Sequence, residues 1–133
     1  IGKARVVREG TDLTIVTYSM MVHTSLEAAE TAAREGISVE VIDLRTLAPM
    51  DIGTITRSVE KTGRAVVVHE APKTGGLGGE IVATIVERAF LSLEAPVERV
   101  AGYDVPYPMP QLEIYMIPSA DRVLQAIRKV ASF

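Results

Sequence analysis

Two histidines, His23 and His69, are the side chains of this sequence best suited to acid–base or metal chemistry. A metal site needs three or four ligands, and neither histidine has a second His or a Cys at ligand spacing. The absence of cysteine also excludes disulfides, thiolate zinc sites and thiol nucleophiles. Ser19 and Ser25 lack the Gly-x-Ser-x-Gly context of a nucleophile elbow. We therefore interpret both histidines as structural, with satisfied hydrogen bonds, and predict no catalytic, cofactor-binding or metal-binding residue.

The glycine-rich segment Gly75–Gly79 follows an apolar run, Ala65–Val68, and precedes an amphipathic segment that begins at Glu80. A strand, a glycine loop and a helix in this order place backbone N–H groups and the positive end of a helix dipole at the carboxyl edge of a sheet. The segment lacks the Lys-Ser/Thr ending of a P-loop and the Gly-x-Gly-x-x-Gly spacing of dinucleotide-binding folds. We interpret the glycines as a tight turn with close helix approach; anion binding stays open as the alternative.

Three acidic residues, Glu87, Glu94 and Glu98, surround the end of that predicted helix and the start of the last predicted strand. Charges of this kind usually only face solvent. The alternative is a docking patch for a basic partner, because charge complementarity raises the rate and the specificity of association. The residues alone leave both interpretations open.

The composition describes one α/β domain and excludes several classes of protein. Apolar residues make up 47% of the 133 residues and aromatic residues only 5%, so the core must be built from Val, Ile, Leu and Ala. The net charge of −3 argues against a nucleic-acid binder whose affinity depends on phosphate neutralisation. No apolar run approaches the roughly 18 residues that a membrane-spanning helix needs, so we expect no membrane association.

Strands and helices alternate along the sequence. Apolar runs predict strands at residues 3–8, 13–18, 38–44, 65–68 and 96–100. Capping and punctuation residues predict four helices, which begin near Thr24 (with Glu27 completing a capping box), Asp51, Glu80 and, after the last strand, Ser119. Such alternation gives a mostly parallel sheet with helices on both faces. Four of the seven prolines fall within residues 102–118, which predicts a long, stiff loop packed against the fold.

Four segments carry a family resemblance that extends over essentially the whole chain. They are Gly10–Ser19, Val41–Pro49, Val68–Gly76 and Leu93–Asp104. Through them the chain resembles the C-terminal domain of the β subunit of the decarboxylating component of 2-oxo acid dehydrogenase complexes, a domain shared with transketolase. His69–Gly76 and Gly102–Pro106 resemble the branched-chain 2-oxo acid members more than the pyruvate members.

The resemblance implies a three-layer α/β/α sandwich whose five-stranded, mostly parallel sheet has its first strand antiparallel to the rest. It implies that residues 1–133 are one transketolase C-terminal-like domain, a fragment of a longer β subunit without its N-terminal pyrimidine-binding domain. The parent enzyme would oxidatively decarboxylate a 2-oxo acid, with the branched-chain type expected, and transfer the acyl group to lipoamide. Thiamine diphosphate and magnesium would bind elsewhere in that enzyme, and the fragment alone would be inactive.

The resemblance also implies partners. These are an α subunit and a second β subunit in an α2β2 heterotetramer, and the subunit-binding domain of the dihydrolipoyl acyltransferase. Because that domain is basic at its binding face, the family pattern assigns Glu94, Glu98 and the terminal carboxylate of Phe133 as partner-binding groups. The expected compartment is the cytoplasm for a prokaryotic source, which we favour, and the mitochondrial matrix for a eukaryotic one.

Other functions compete with this interpretation. The first is a pyruvate or acetoin dehydrogenase β subunit, which shares the same domain. The second is the corresponding domain of transketolase or deoxyxylulose-phosphate synthase, against which the segments around Asp43 and Glu94 argue. The third is a stand-alone flavodoxin-like module that binds an anion or a nucleotide at Gly75–Gly79.

Overall fold

The computed structural model describes residues 1–133, which form a five-stranded sheet covered by helices on both faces. The strands are β1 (Arg5–Arg8), β2 (Leu13–Thr17), β3 (Val39–Asp43), β4 (Ala65–Pro72) and β5 (Glu98–Gly102). The helices are α1 (Met21–Arg34), α2 (Ile52–Thr62), α3 (Gly78–Ala89), α4 (Glu113–Met116) and α5 (Ala120–Ala131), with short 3-10 turns at Phe90–Ser92 and Pro110–Leu112. None of these helices has the length and the apolar character needed to cross a membrane.

The strand order is β1-β3-β2-β4-β5, and only β1 runs antiparallel to its neighbour. This confirms the predicted three-layer sandwich with an antiparallel first strand. Both β1 and β5 are edge strands, so each has one edge that pairs with no other strand. The chain leaves β2 toward β3 and leaves β4 toward β5. The carboxyl ends of β2 and β4 therefore flank the point where the direction of winding changes.

Two separate apolar cores follow from the alternation of side chains along the strands. On β2, Leu13 and Ile15 face one core while Val16 faces the other. The first core lies beneath α1 and α5, and the second beneath α2 and α3. Both layers are built from small and branched aliphatic side chains, as the composition predicted.

Two of the predicted helix caps are confirmed and one is wrong. The side chains of Asp51 and Ser119 accept hydrogen bonds from backbone N–H groups three residues on, at the starts of α2 and α5. Thr24 and Glu27 form no capping box, because α1 already begins at Met21 and no side chain caps it. The chain turns into α1 through Ser19, whose φ of 58° lies in the left-handed region. Helix α3 likewise begins at Gly78, before the predicted Glu80.

One buried carboxylate ties β3 to α2. Glu40 is 2% exposed and accepts hydrogen bonds from the Ser58 hydroxyl at 2.6 Å and from the Gly10 backbone N–H at 3.2 Å. Lys61 forms a salt bridge with the same carboxylate. Burial raises the pKa of Glu40, but the hydrogen bonds from Lys61, Ser58 and Gly10 outweigh it and hold the pKa below its usual value. This carboxylate is therefore charged and fully paired inside the fold.

The proline-rich segment after β5 packs less than predicted. Met116 and Pro118 are buried, whereas seven large apolar side chains are more than half exposed. These are Tyr103, Val105, Tyr107, Met109, Leu112, Ile114 and Tyr115. The prediction of a packed loop is thus wrong for most of its apolar residues, because their side chains point away from both cores.

Candidate partner-binding surface

The carboxyl ends of β2 and β4 hold the residues that first suggested chemistry. His69 is fully buried, and neither of its ring nitrogens has a hydrogen-bond partner. Burial lowers the pKa of His69, and burial followed by the charge of Glu70 raises the pKa of Tyr18, whose ring stacks on the histidine. Both rings are therefore neutral at pH 7. The prediction that His69 is structural agrees with this burial, but the prediction that its hydrogen bonds are satisfied is wrong.

Close contacts with His69 and with the loop's own backbone explain why this loop is rich in glycine. A Cβ atom on Gly78 would lie 2.2 Å from Nε2 of His69, and a Cβ on Gly76 would lie 2.3 Å from the Pro72 carbonyl oxygen. Gly75 has a φ of 76°, which also favours glycine. These contacts favour the predicted tight turn with close helix approach. No group of three or more His, Asp or Glu side chains could hold a metal ion.

The structure brings two of the three predicted partner-binding residues together. Arg64 lies between α2 and β4, and its Nη1 is 2.7 Å from Oε2 of Glu94. Its Nη2 donates a hydrogen bond of 3.1 Å to the carbonyl oxygen of Phe133. The carboxylate of Glu94 also lies against Gly63, where a Cβ would be 2.9 Å from it. Arg64 therefore fixes Glu94 beside the end of α5.

Glu98, the third predicted residue, belongs to a different cleft. Its carboxylate lies 2.8 Å from Nζ of Lys129 on α5. The side chains around it include two further cations, Arg99 and Arg122. Glu94 and Glu98 are therefore each paired with a cation of the same chain, whereas Glu87 is exposed without an ion pair. The docking patch for a basic partner stays a prediction.

An open apolar groove of about 610 Å³ runs beside Glu94, and the sequence analysis missed it. It lies between the exposed side of α3 and the segment that leads into β5. Phe90 and Leu91 are 64% and 97% exposed, and Val86 is also exposed. Large exposed apolar patches with a polar rim mark interaction surfaces. The sequence feature that could have indicated this groove is the apolar pair Phe90-Leu91, which follows α3 and lies outside the buried stripe formed by Ile81, Ile85 and Ala89.

Comparison with known proteins places this fold in a family. A family model described as "Transketolase, C-terminal domain" matches residues 2–123. The chain is 56% identical over 133 residues to the pyruvate dehydrogenase E1 component subunit beta of Bacillus subtilis, covering 100% of this chain and 41% of that protein. It is 52% identical over 130 residues to the subunit of the same name from Leifsonia xyli, covering 98% and 39%. The chain thus spans about two fifths of the length of these relatives.

A solved structure described as a split-gene transketolase, an inactive β4 tetramer, superposes with a TM-score of 0.84 at 33% identity. The match covers 98% of this chain and 42% of that one. The sheet order, the antiparallel first strand and the helices on both faces agree with this likeness. The chain therefore belongs to the transketolase C-terminal domain family.

Proposed function

We propose that this chain is the C-terminal assembly domain of the β subunit of a thiamine diphosphate-dependent 2-oxo acid dehydrogenase of the pyruvate type. The observation that carries the proposal is the 56% identity over the whole chain to a pyruvate dehydrogenase β subunit. The motifs in His69–Gly76 and Gly102–Pro106 favoured the branched-chain type, but the names of the reported relatives favour the pyruvate alternative. The parent enzyme would decarboxylate pyruvate and pass the acetyl group to lipoamide.

The residues of this chain do not fit the cofactor of that reaction. No group of acidic side chains could hold magnesium, and the Cβ positions of Gly76 and Gly78 are filled by the Pro72 carbonyl and by His69, so packing alone accounts for the glycines of the loop. We therefore derive no catalytic step from these residues and assign thiamine diphosphate and magnesium to other parts of the parent enzyme. The reported curated relatives are bacterial, which supports the cytoplasm as the compartment.

The role that the surface supports is docking. Glu94 lies at the rim of the apolar groove and is held through Arg64 beside Phe133. Exposed apolar anchors with a charged rim suit a protein partner. We assign this surface to the subunit-binding domain of the acyltransferase, with Glu94 pairing a basic residue of that domain. The α subunit and a second β subunit would contact other faces, including the exposed apolar side chains of residues 103–115.

The type of substrate is tested with the complete β polypeptide that carries residues 1–133, assembled with its α subunit. Substrate-dependent reduction of an artificial electron acceptor is measured with pyruvate, 3-methyl-2-oxobutanoate and acetoin in the presence of thiamine diphosphate and magnesium. We expect pyruvate to give the highest kcat/KM, and no activity from the β polypeptide alone. A preference for 3-methyl-2-oxobutanoate would return the assignment to the branched-chain type.

The docking surface is tested with Phe90→Ser and Glu94→Gln, by measuring affinity for the acyltransferase's subunit-binding domain at low and high salt. Loss of an apolar anchor should cost about 1–2 kcal/mol of binding free energy. Glu94→Gln should weaken binding more at low salt than at high salt. Glu87→Gln, which removes an exposed charge from the adjacent helix α3, is the matched control. If all three variants bind equally well, the partner docks elsewhere.

A further inference from the structure

His69 is a buried titratable ring that the proposed function does not use. It shares a face of β4 with Val67, so its ring lies on the side of the sheet that α2 and α3 cover. The ring is fully buried, and neither nitrogen has a hydrogen-bond partner. A Cβ on Gly78 would lie 2.2 Å from Nε2, and one on Gly76 would lie 2.9 Å from Cε1. The glycine loop and the first turn of α3 therefore close directly over the imidazole.

The groups around this ring favour its neutral form. On β5, Arg99 pairs in register with Val67, so its side chain lies on the same face as His69. The N-terminus of α3, which is the positive end of a helix dipole, lies against the ring at Gly78. On β2, Tyr18 stacks on the imidazole and is itself neutral. A proton on His69 would therefore add a positive charge beside a guanidinium and a positive helix end.

No carboxylate compensates for that charge. Glu70 follows His69 on β4, and its Oε1 is buried without a partner, but it makes no hydrogen bond with the imidazole. Glu80, in the first turn of α3, is exposed and likewise bonds neither ring nitrogen. Burial lowers the pKa of His69 and outweighs the Ala71 backbone, which raises it, while the charge of Arg99 lowers it further. An imidazolium is therefore excluded from this pocket unless the ring moves.

The loop that covers His69 also holds the segment after β5. The backbone N–H of Thr74 donates to Oδ1 of Asp104 at 2.9 Å, and that of Lys73 donates to the carbonyl oxygen of Gly102 at 3.1 Å. Hydrogen bonds from Thr74 lower the pKa of Asp104, so this carboxylate stays charged at pH 5 and does not itself respond to mild acid. Opening of the loop would break these bonds and release the start of the segment after β5.

We propose that His69 and the glycine loop form an acid-sensitive switch: when the imidazole takes up a proton, it leaves its pocket, the loop opens, and the bonds to Gly102 and Asp104 are lost. The proton comes from solvent, and no other reactant is needed. In the open form the ring lies in water and titrates with an ordinary pKa of 6.5, whereas burial lowers the pKa in the closed form. The ratio of open to closed loop therefore rises as pH falls below 6.5, by up to about 30-fold between pH 7.5 and pH 5.0. This switch does not depend on which partners the chain binds.

The test is hydrogen–deuterium exchange, followed by mass spectrometry, of the complete β polypeptide that carries residues 1–133. Exchange is compared at pH 7.5 and pH 5.0 after correction for the intrinsic rates of amide exchange. We expect peptides that cover residues 73–81 and 102–107 to exchange up to about 30-fold faster at pH 5.0, and peptides from β3 to be unchanged. His69→Gln, which cannot take up the proton, should remove this dependence. His23→Gln removes the other histidine of the chain, which is exposed on α1, and should keep it.

A second measurement needs no substitution. The slow exchange of the imidazole Cε1 hydrogen for deuterium, followed in the original polypeptide as a function of pH, gives the pKa of His69, which we expect below 6.5. A pKa of 6.5 or above would overturn the proposal, because the closed pocket would then accept the charged ring. Equal amide exchange at the two pH values would also overturn it, as would an acid response that persists in His69→Gln or disappears in His23→Gln. The measurements on the original polypeptide decide the question even if His69→Gln does not fold.

Discussion

The contact between Gly78 and His69 allows a quantitative test of why the loop is glycine-rich. In Gly78→Ala the new Cβ would lie 2.2 Å from Nε2 and 2.6 Å from Cδ2 of an imidazole that is fully buried. An ordinary contact begins near 3.4 Å, so the ring must retreat by about 1 Å into packed surroundings. Overpacking of this kind costs about 1–3 kcal/mol, and the gain in helix propensity returns at most about 1 kcal/mol. We expect a net loss of about 1–2 kcal/mol.

The neighbouring glycine is the matched control. A Cβ on Gly79 meets nothing closer than Nη1 of Arg99 at 3.8 Å. Gly79→Ala should therefore leave the free energy of unfolding unchanged or raise it by up to about 1 kcal/mol. Both values come from urea denaturation followed by far-ultraviolet circular dichroism, since the chain contains no Trp.

A double-mutant cycle with His69→Ala isolates the clash from other effects of the substitution. Without the imidazole, the added methyl group of Gly78→Ala has room, so its cost should fall to near zero. The reasoning is refuted if Gly78→Ala is as stable as Gly79→Ala, or if its cost persists unchanged in the His69→Ala background.

Two further predictions concern the buried carboxylate and the glycine loop. Glu40→Gln should destabilise the fold by about 2 kcal/mol at pH 7, because charge-assisted hydrogen bonds are lost. Because the pKa of Glu40 is lowered in the folded state, its charge stabilises the fold above the unfolded value of 4.5, and this stabilisation is lost as pH falls from there through the folded-state pKa. Urea denaturation should therefore show a smaller difference in the free energy of unfolding between the original chain and Glu40→Gln at pH 3 than at pH 7. An equal difference at the two pH values would contradict this. Calorimetry with pyrophosphate should show no sub-millimolar binding at Gly75–Gly79, and one-to-one binding in that range would contradict the structural role.

The sequence predicts those parts of the fold that depend on local chemistry. Asp51 and Ser119 are recognisable caps because the hydroxyl or carboxylate bonds a backbone group only three residues away. The start of α1 was misplaced because the turn depends on a left-handed backbone at Ser19, which no side-chain preference reveals. The alternation of strands and helices sufficed to predict a mostly parallel sheet with helices on both faces, whereas the antiparallel first strand was implied only by the family resemblance.

The candidate site was harder to predict because its contacts are distant in sequence. Arg64 pairs with Glu94 and Phe133, and Glu98 pairs with Lys129. Glu94 and Glu98 were predicted to bind a partner, which stays a prediction, but the cation beside each lies on another element that no local spacing indicates. The groove was missed for a related reason: Phe90 and Leu91 form it only together with the segment before β5.

The packing of α1 against α5 has a consequence for how the chain folds as it is made. These helices share one core although about 90 residues separate them, which at ribosomal rates of 5–20 residues per second means a wait on the order of 10 s. During that time α1 presents its unburied side to the cell. Half of the six buried residues of α1 are alanines, namely Ala28, Ala29 and Ala32, and their small apolar area gives other nascent chains little to adhere to. The alanine face therefore limits aggregation in the interval before α5 emerges.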